Sequence, residues 1–405
     1  MRRRSFLAGL GGASLALPSL GPALARGGRG EKRDDSLTLF LCGDVMTGRG
    51  IDQVLPHSVG PRLYEPYVRN AEVYVRLAEE ESGEIPAPVP FDYVWGDALA
   101  ELERIAPHLR IVNLETAVTT AHDPWPGKGI HYRMHPGNVP VLTAAGLDVC
   151  VLGNNHVLDW GRDGLRETLD VLRKAGIAAP GAGADHDDHD EAARPAALET
   201  EAGRVVVFSW GLPNAGVPPT WQAGKGEAGV NLLPSPDREG ATRVVEEVET
   251  VRQPGDRVVV SLHWGPNWGY EVPEEERSFA HRLIDSGMVD VIHGHSSHHP
   301  KGIEVYRGRP IIYGAGDFLN DYEGIAGNER FRGELTLMYF PTLAPSGELI
   351  DFGLTPLRIH RFRLQRAAPE EVTWMARTLD EHSRPFGTRV NEDGSGKGRL
   401  GLRWG

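Results

Sequence analysis

The amino-acid sequence predicts an α/β fold with a largely parallel sheet, joined in its second half by antiparallel strands. Two patterns carry this expectation. From Leu37 onward, short apolar runs alternate with amphipathic stretches, as when strands are linked through helical crossovers. Beyond residue 300 the runs are spaced by turns and read as hairpins. Taken in order, strands are expected over 37–42, 109–112, 149–152, 205–209, 258–262 and 289–292. Several are apolar at every position, as strands covered on both faces should be. Helices are expected between them over 93–106, 165–175, 238–251 and 274–286. The later runs 303–306, 310–313, 335–340 and 350–357 supply the antiparallel strands, and 369–382 a last helix before a Gly-rich tail expected to be loose.

The 405 residues allow two domains or one large α/β domain, and no internal repeat divides them. With 40% hydrophobic and 24% charged residues, the composition excludes a fibrous or wholly disordered chain. A formal charge of −13 argues against a nucleic-acid surface and against general adhesion to anionic lipid. No stretch has the ~18 uninterrupted apolar residues of a membrane-spanning helix. The two cysteines, Cys42 and Cys150, are too few for a disulfide framework or a thiolate zinc site. Both lie in apolar strands and are expected as free thiols.

Residues 1–25 read as an export signal. Arg2, Arg3 and Arg4 precede a mildly apolar run to Leu20, and Ala23-Leu24-Ala25 offers small residues for cleavage. The order Arg3-Arg4-Ser5-Phe6-Leu7 resembles the twin-arginine type, which carries proteins across the membrane already folded. A basic disordered tail is the alternative. Export places the chain in the periplasm or cell envelope, and loss of the three arginines takes the charge to −16. Residues 26–36 are then a linker, 37–365 the main domain, and 366–405 the C-terminal helix and tail.

The chemistry-bearing residues gather at strand ends. Asp44 follows the first strand through Gly43, and Asn113 and Glu115 follow the second. Asn154, Asn155 and His156 follow the third through Gly153; His263 ends the fifth; His293, His295 and His298 follow the sixth. Loops beyond the carboxyl ends of strands converge on one crevice in an open α/β sheet, so these residues are expected to meet. Oxygen and imidazole donors without thiolate suit two divalent ions, Mn, Fe or Zn. Taken singly, Gly-Asp also serves as a turn, Asn113 and Glu115 as a cap, and His263 beside Trp264 as a packed histidine. The tract 185–191 (Asp-His-Asp-Asp-His-Asp-Glu) follows a Gly-rich turn without an apolar frame, and reads as a solvated loop.

These residues also carry a resemblance. Gly43-Asp44-Val45-Met46, Asn113-Leu114-Glu115, Asn154-Asn155-His156 with Leu158-Asp159-Trp160-Gly161, His263-Trp264-Gly265, Gly294-His295-Ser296-Ser297-His298 and Tyr313-Gly314-Ala315-Gly316-Asp317-Phe318 resemble the ordered motifs of CapA-type capsule and poly-γ-glutamate synthesis proteins. The resemblance spans about residues 38 to 360. That family is similar to calcineurin-like metallophosphoesterases, which implies two packed mixed sheets flanked by helices, a four-layer sandwich around two metal ions. It further implies that Asp44 and His298 hold one ion, that Asn155, His263 and His295 hold the other, and that Glu115 bridges them. His156 becomes the proton donor, with Asp159 as its orienting acceptor or as a loop cap. Met46 departs from the metallophosphoesterase pattern, which has a histidine two residues beyond the first aspartate.

The function expected is that of an exported metal-dependent hydrolase acting on a phosphoester or on a capsule or envelope polymer such as poly-γ-glutamate, alongside membrane-associated polymer synthesis machinery. The alternative is a non-catalytic component that binds or guides the polymer. An anionic polymer would be repelled by the net charge, so its binding must rely on the metals or on local bases such as Arg133, whose neighbours Tyr132 and His135 can also simply pack.

Overall fold

The computed structural model describes residues 35–184 and 191–405. The export signal, nearly all of the linker and most of the 185–191 tract lie outside the described residues. Strand β1 (Leu37–Val45) opens a first sheet and is joined in parallel by β2 (Leu109–Leu114), which pairs in turn with β3 (Val149–Val151). The chain then leaves to build a second sheet from β4 (Ala196–Thr200), β5 (Gly203–Gly211), β6 (Arg257–His263), β7 (Val291–His295), β8 (Ile303–Tyr306) and β9 (Arg309–Ile312). Their spatial order is β8-β9-β7-β6-β5-β4, parallel in the middle with an antiparallel strand at each edge. Returning to the first sheet, β10 (Asp317–Leu319) lies parallel beside the end of β1. The strands β11 (Leu335–Leu343), β12 (Leu349–His360) and β13 (Arg363–Arg366) follow, all antiparallel to their neighbours. The fold is therefore α/β with two mixed sheets.

Two-residue periodicity explains how the sheets stack. In β1, Leu37, Leu39 and Leu41 enter the core between the sheets, where they meet Val207, Val259 and Val291 of the second. The alternate residues Phe40 and Cys42 turn outward onto Ala98 and Leu102 of the helix Asp97–Ile105 and Leu165 and Leu172 of the helix Gly161–Lys174. Outward residues of β6, namely Val258, Val260 and Leu262, pack beneath Val244, Val248, Phe279 and Leu283 of the helices Arg238–Glu249 and Glu274–Asp285. Helix, sheet, sheet and helix make the four layers.

The Gly-rich tail is not loose. After the helix Pro369–Ser383, strands β14 (Thr388–Glu392) and β15 (Leu400–Trp404) pair with each other, and β15 pairs with β12. Val390, Leu400 and Leu402 enter the core between the sheets, which is what fixes them. Among the described residues, no helix is long and apolar enough to cross a membrane.

Candidate metal centre

The second sheet supplies imidazoles by strand register alone. β6 and β7 pair with Val259 opposite Val291, Ser261 opposite His293 and His263 opposite His295. Because Val259 and Val291 face the core between the sheets, the residues two and four further along face the same way. His263, His293 and His295 thus point at the first sheet and are fully buried. His263 Nδ1 and His295 Nδ1 are 2.9 Å apart, one donating to the other, and Ser261 Oγ lies 2.9 Å from His295 Nε2.

The first sheet supplies carboxylates. The β1–β2 register slips between Cys42 and Asp44, which brings Asp44 opposite Asn113. Asn113 Nδ2 donates to Asp44 Oδ1 at 2.7 Å, and the same amide takes a hydrogen bond on its oxygen from Asn154 Nδ2 at 3.0 Å. Asn154 also donates to Leu114 O at 2.9 Å and accepts from the His156 N–H at 3.0 Å, so it braces the turn that presents Asn155 and His156. That turn is pressed against the second sheet, since a Cβ on Gly153 would lie 2.7 Å from Ser209 Oγ.

Two groups of donor atoms result. Asp44, His263 and His295 each offer one atom within 4.8 Å of the others, and so do Asp44, His298 and Asp317. Asp44 belongs to both. Glu115 Oε1 stands 4.0 Å from His263 Nε2 and 3.7 Å from His156 Nε2. Asp44 Oδ2, Asn155 Oδ1 and His263 Nε2 are buried without a hydrogen-bond partner. Orphaned buried polar atoms call for an explanation, and Asp44 and His263, which share a donor group, are the two that a cation there would satisfy. Electrostatics point the same way. Burial pushes Asp44 up to about 6, with the nearby Asp317 charge adding to it and hydrogen bonds from Glu115 and Asn113 opposing. Glu115 is pushed well above its ordinary range, by burial first and then by the charge of Asp44. These residues therefore fit divalent ions of the Mn, Fe or Zn class, with only oxygen and nitrogen donors. Cys42 and Cys150 are free buried thiols on the outward face of the first sheet.

His156 lies beside this group with its own supports. Its Nδ1 is 2.6 Å from Asp159 Oδ2, which also accepts the Tyr132 N–H at 2.6 Å. Burial holds its pKa down at about 4 against the pull of Asp159, so the ring is neutral near pH 7. Lys128 Nζ sits 2.6 Å from Asp159 Oδ1 and 3.0 Å from His156 Nδ1.

Set against the sequence, Asp44, Glu115, His263, His295 and His298 come together, and Asp159 meets His156. Asp44 stands between the two donor groups, where the resemblance put Glu115. Lys128 and Asp317 were missed as site residues. Lys128 sits in the Pro/Gly-rich stretch before β-paired Arg133, away from any strand end, and nothing local marks it. Asp317 repeats the Gly-Asp step of Gly43-Asp44, and that repetition was the available signal. His293 is a brace: Nε2 meets Cys42 O at 2.8 Å and Nδ1 meets Ser261 Oγ at 3.1 Å. Arg133 is buried over the Trp160 ring at 3.7 Å, so it packs and offers no base to a polymer.

Comparison with known proteins gives the chain a family and relatives. Residues 38–322 match the family model described as bacterial capsule synthesis protein PGA_cap. A Mycobacterium tuberculosis protein named probable polyglutamine synthesis accessory protein is 49% identical over 360 residues, covering 88% of this chain and 93% of that one. The PGA biosynthesis protein CapA of Bacillus subtilis is 25% identical over 327 residues, covering 81% of this chain and 73% of its own. The capsule biosynthesis protein CapA of Bacillus anthracis is 25% identical over 348 residues, covering 85% and 71%. With a matched segment that begins just before Asp44 and runs past Asp317, this chain belongs to the PGA_cap family of bacterial capsule synthesis proteins.

Proposed function

We propose that this protein is an exported, divalent-metal-dependent hydrolase that serves capsule or poly-glutamate synthesis, cleaving a phosphoester or a bond of the polymer itself. The observation that carries the reading is the sharing of Asp44 by two donor groups, one wholly buried and the other partly, with His156 Nε2 3.7 Å from Glu115. Bound there, divalent ions supply Lewis-acid polarisation and an activated water. The chain's own residues do the rest. Asp159 and Lys128 hold the His156 ring by its Nδ1 side, leaving Nε2 toward Glu115, where the neutral ring must first take up a proton before it can pass one to a leaving group. Lys128, with 15% of its side chain exposed, puts one positive charge beside the centre of a chain whose net charge is −13. The names of the relatives support placing the protein with polymer synthesis machinery in the cell envelope, and the twin-arginine motif supports export in the folded state.

The test is a substrate screen on protein loaded with Mn²⁺ or Zn²⁺, using phosphodiesters and γ-glutamyl oligomers. Turnover lost on chelation and regained with metal is expected. Metal-loaded protein that turns over neither class, yet binds polymer even as Asp44→Ala, overturns the hydrolase and leaves a polymer-binding component.

A further inference from the structure

The position two residues after Asp44 carries Met46, whose thioether is a poor ligand for a hard divalent ion. Its sulfur is buried and takes the Tyr322 hydroxyl at 3.8 Å, so it is spent on packing. Another carboxylate reaches the place from a different strand. β10 lies parallel along the end of β1, with Asp44 opposite Asp317 and Val45 opposite Leu319. The Asp44 N–H donates to Gly316 O at 3.0 Å, and the Met46 N–H to Leu319 O at 2.8 Å. Such an approach needs glycine on both strands: a Cβ on Gly43 would lie 1.7 Å from Gly316 O, and Gly316 itself has φ +79°. Two Gly-Asp steps more than 270 residues apart in the chain are thereby pressed side by side.

We infer that Asp317 is a metal ligand, completing with Asp44 and His298 an oxygen–nitrogen–oxygen site in place of the ligand that Met46 does not provide. This deepens the metal-dependent reading above and rests on it. Asp317 is 2% exposed and its Oδ1 lies 2.8 Å from His298 Nδ1, while Asn320 Nδ2 donates to its Oδ2 at 2.9 Å. Asp44 Oδ2 beside it is buried with no partner. Two buried carboxylates side by side are costly without a cation between them. Among the described residues no lysine or arginine forms an ion pair with either. The neighbouring arginine, Arg49, is already committed to Asp321 at 2.8 Å and Glu65 at 2.9 Å. A divalent ion is the charge that balances this corner, and its donors are of the hard kind that Mn²⁺ or Zn²⁺ accepts.

The competing role for Asp317 is only to hold the His298 ring. Asp317→Asn separates the two, because the amide oxygen can still accept from His298 but the anionic ligand is gone. Full-length protein is titrated with Mn²⁺ or Zn²⁺ in the absence of substrate, with bound metal measured directly. The wild type is expected to hold two ions per chain. Asp317→Asn is expected to hold one tightly and to bind the second at least ~10 to 100-fold more weakly, the range known even for groups outside the ligand set. Met46→Leu, a packing-neutral change that does not threaten folding, is expected to keep both. Two tight ions in folded Asp317→Asn, or one ion in the wild type unaffected by that change, overturns the inference. So does loss of an ion in Met46→Leu, which would make the thioether the ligand. Because no turnover is read, a protein with two ions and no hydrolysis sinks the hydrolase reading and leaves this one standing.

Discussion

The two sheets bring their candidate ligands to the centre by opposite means. In the second sheet, His263 and His295 continue the same inward rows as Val259 and Val291, so regular pairing is enough to aim them. In the first sheet, Asp44 comes after a register slip and Asp317 from a three-residue strand jammed against β1 through glycines. Imidazoles on regular strands can be read from spacing. The carboxylates Asp44 and Asp317 are marked in the sequence by their Gly-Asp steps, but how they meet is not, because the backbone departure that positions them is made by contacts remote in sequence. Irregular backbone also has a consequence: the carboxylate side is where strain and charge repulsion gather, so metal removal should be felt there first.

The largest effect expected tests whether the regular side is a ligand platform at all. His263→Ala removes a donor, so bound metal and turnover should fall together, with affinity down at least ~10 to 100-fold. His156→Ala leaves the donor groups whole and should keep metal while losing ~10² to 10⁴-fold in turnover. Metal analysis beside a rate measurement separates them. Equal metal loss in both would make His156 a ligand, and full metal in His263→Ala would break the platform.

A second effect, a few kcal/mol in size, belongs to the carboxylate side. Asp44 titrates near 3.8 when exposed, and near 6 when buried and metal-free. A carboxyl whose folded value is raised contributes stability below pH ~4 that is lost as pH rises through about 6. Chelated protein should therefore become less stable between pH 4 and pH 6 on this account, while a divalent ion at ~1,000 times its dissociation constant should add about 4 kcal/mol and reverse the trend. Melting temperature against pH, with chelator and with Mn²⁺, checks it. Asp44→Asn should flatten the chelated curve, and an unchanged slope would remove Asp44 as its source.

The third prediction attacks the contact that makes the first sheet irregular. Gly43→Ala places a methyl 1.7 Å from the Gly316 carbonyl, and a backbone atom cannot swing aside as a side chain can. Overpacking of this kind costs about 3 kcal/mol, read from denaturant midpoints, and should loosen the Asp317-bearing strand and weaken the ion beside it. Full stability would show that β10 yields easily and that the close approach does not matter.

The same contrast explains what was legible in the sequence. The α/β alternation, strands apolar on both faces, and the family motifs were all open to view, because each rests on local pattern or fixed order. The order of strands and the second sheet's departure from the first were not, since chain order does not dictate which sheet a strand joins. The tail failed because its Gly content hid Val390, Leu400 and Leu402, three apolar residues that bury only once β12 exists to receive them. Lys128 was invisible for a related reason: its partners Asp159 and His156 lie about 30 residues further on, across a loop.

The smallest effect expected concerns His293, which the register argument would count with His263 and His295 as a third ligand. It occupies the same inward row, yet Nε2 is used on Cys42 O at 2.8 Å and Nδ1 on Ser261 Oγ at 3.1 Å. Both ring nitrogens are thus engaged, whereas His263 Nε2 has no partner. His295 also has both nitrogens engaged, but one of them is on His263 of its own donor group, whereas His293 spends Nε2 on a carbonyl of the facing sheet, belongs to neither donor group, and acts as a strut between the sheets. His293→Leu keeps approximate volume but strands the Cys42 carbonyl in the core, which should cost about 1–3 kcal/mol, with bound metal unchanged. Denaturant unfolding together with metal stoichiometry decides the matter. Loss of an ion would show that inward direction alone makes a ligand, whereas loss of stability alone would show that His293 serves only to tie the sheets together.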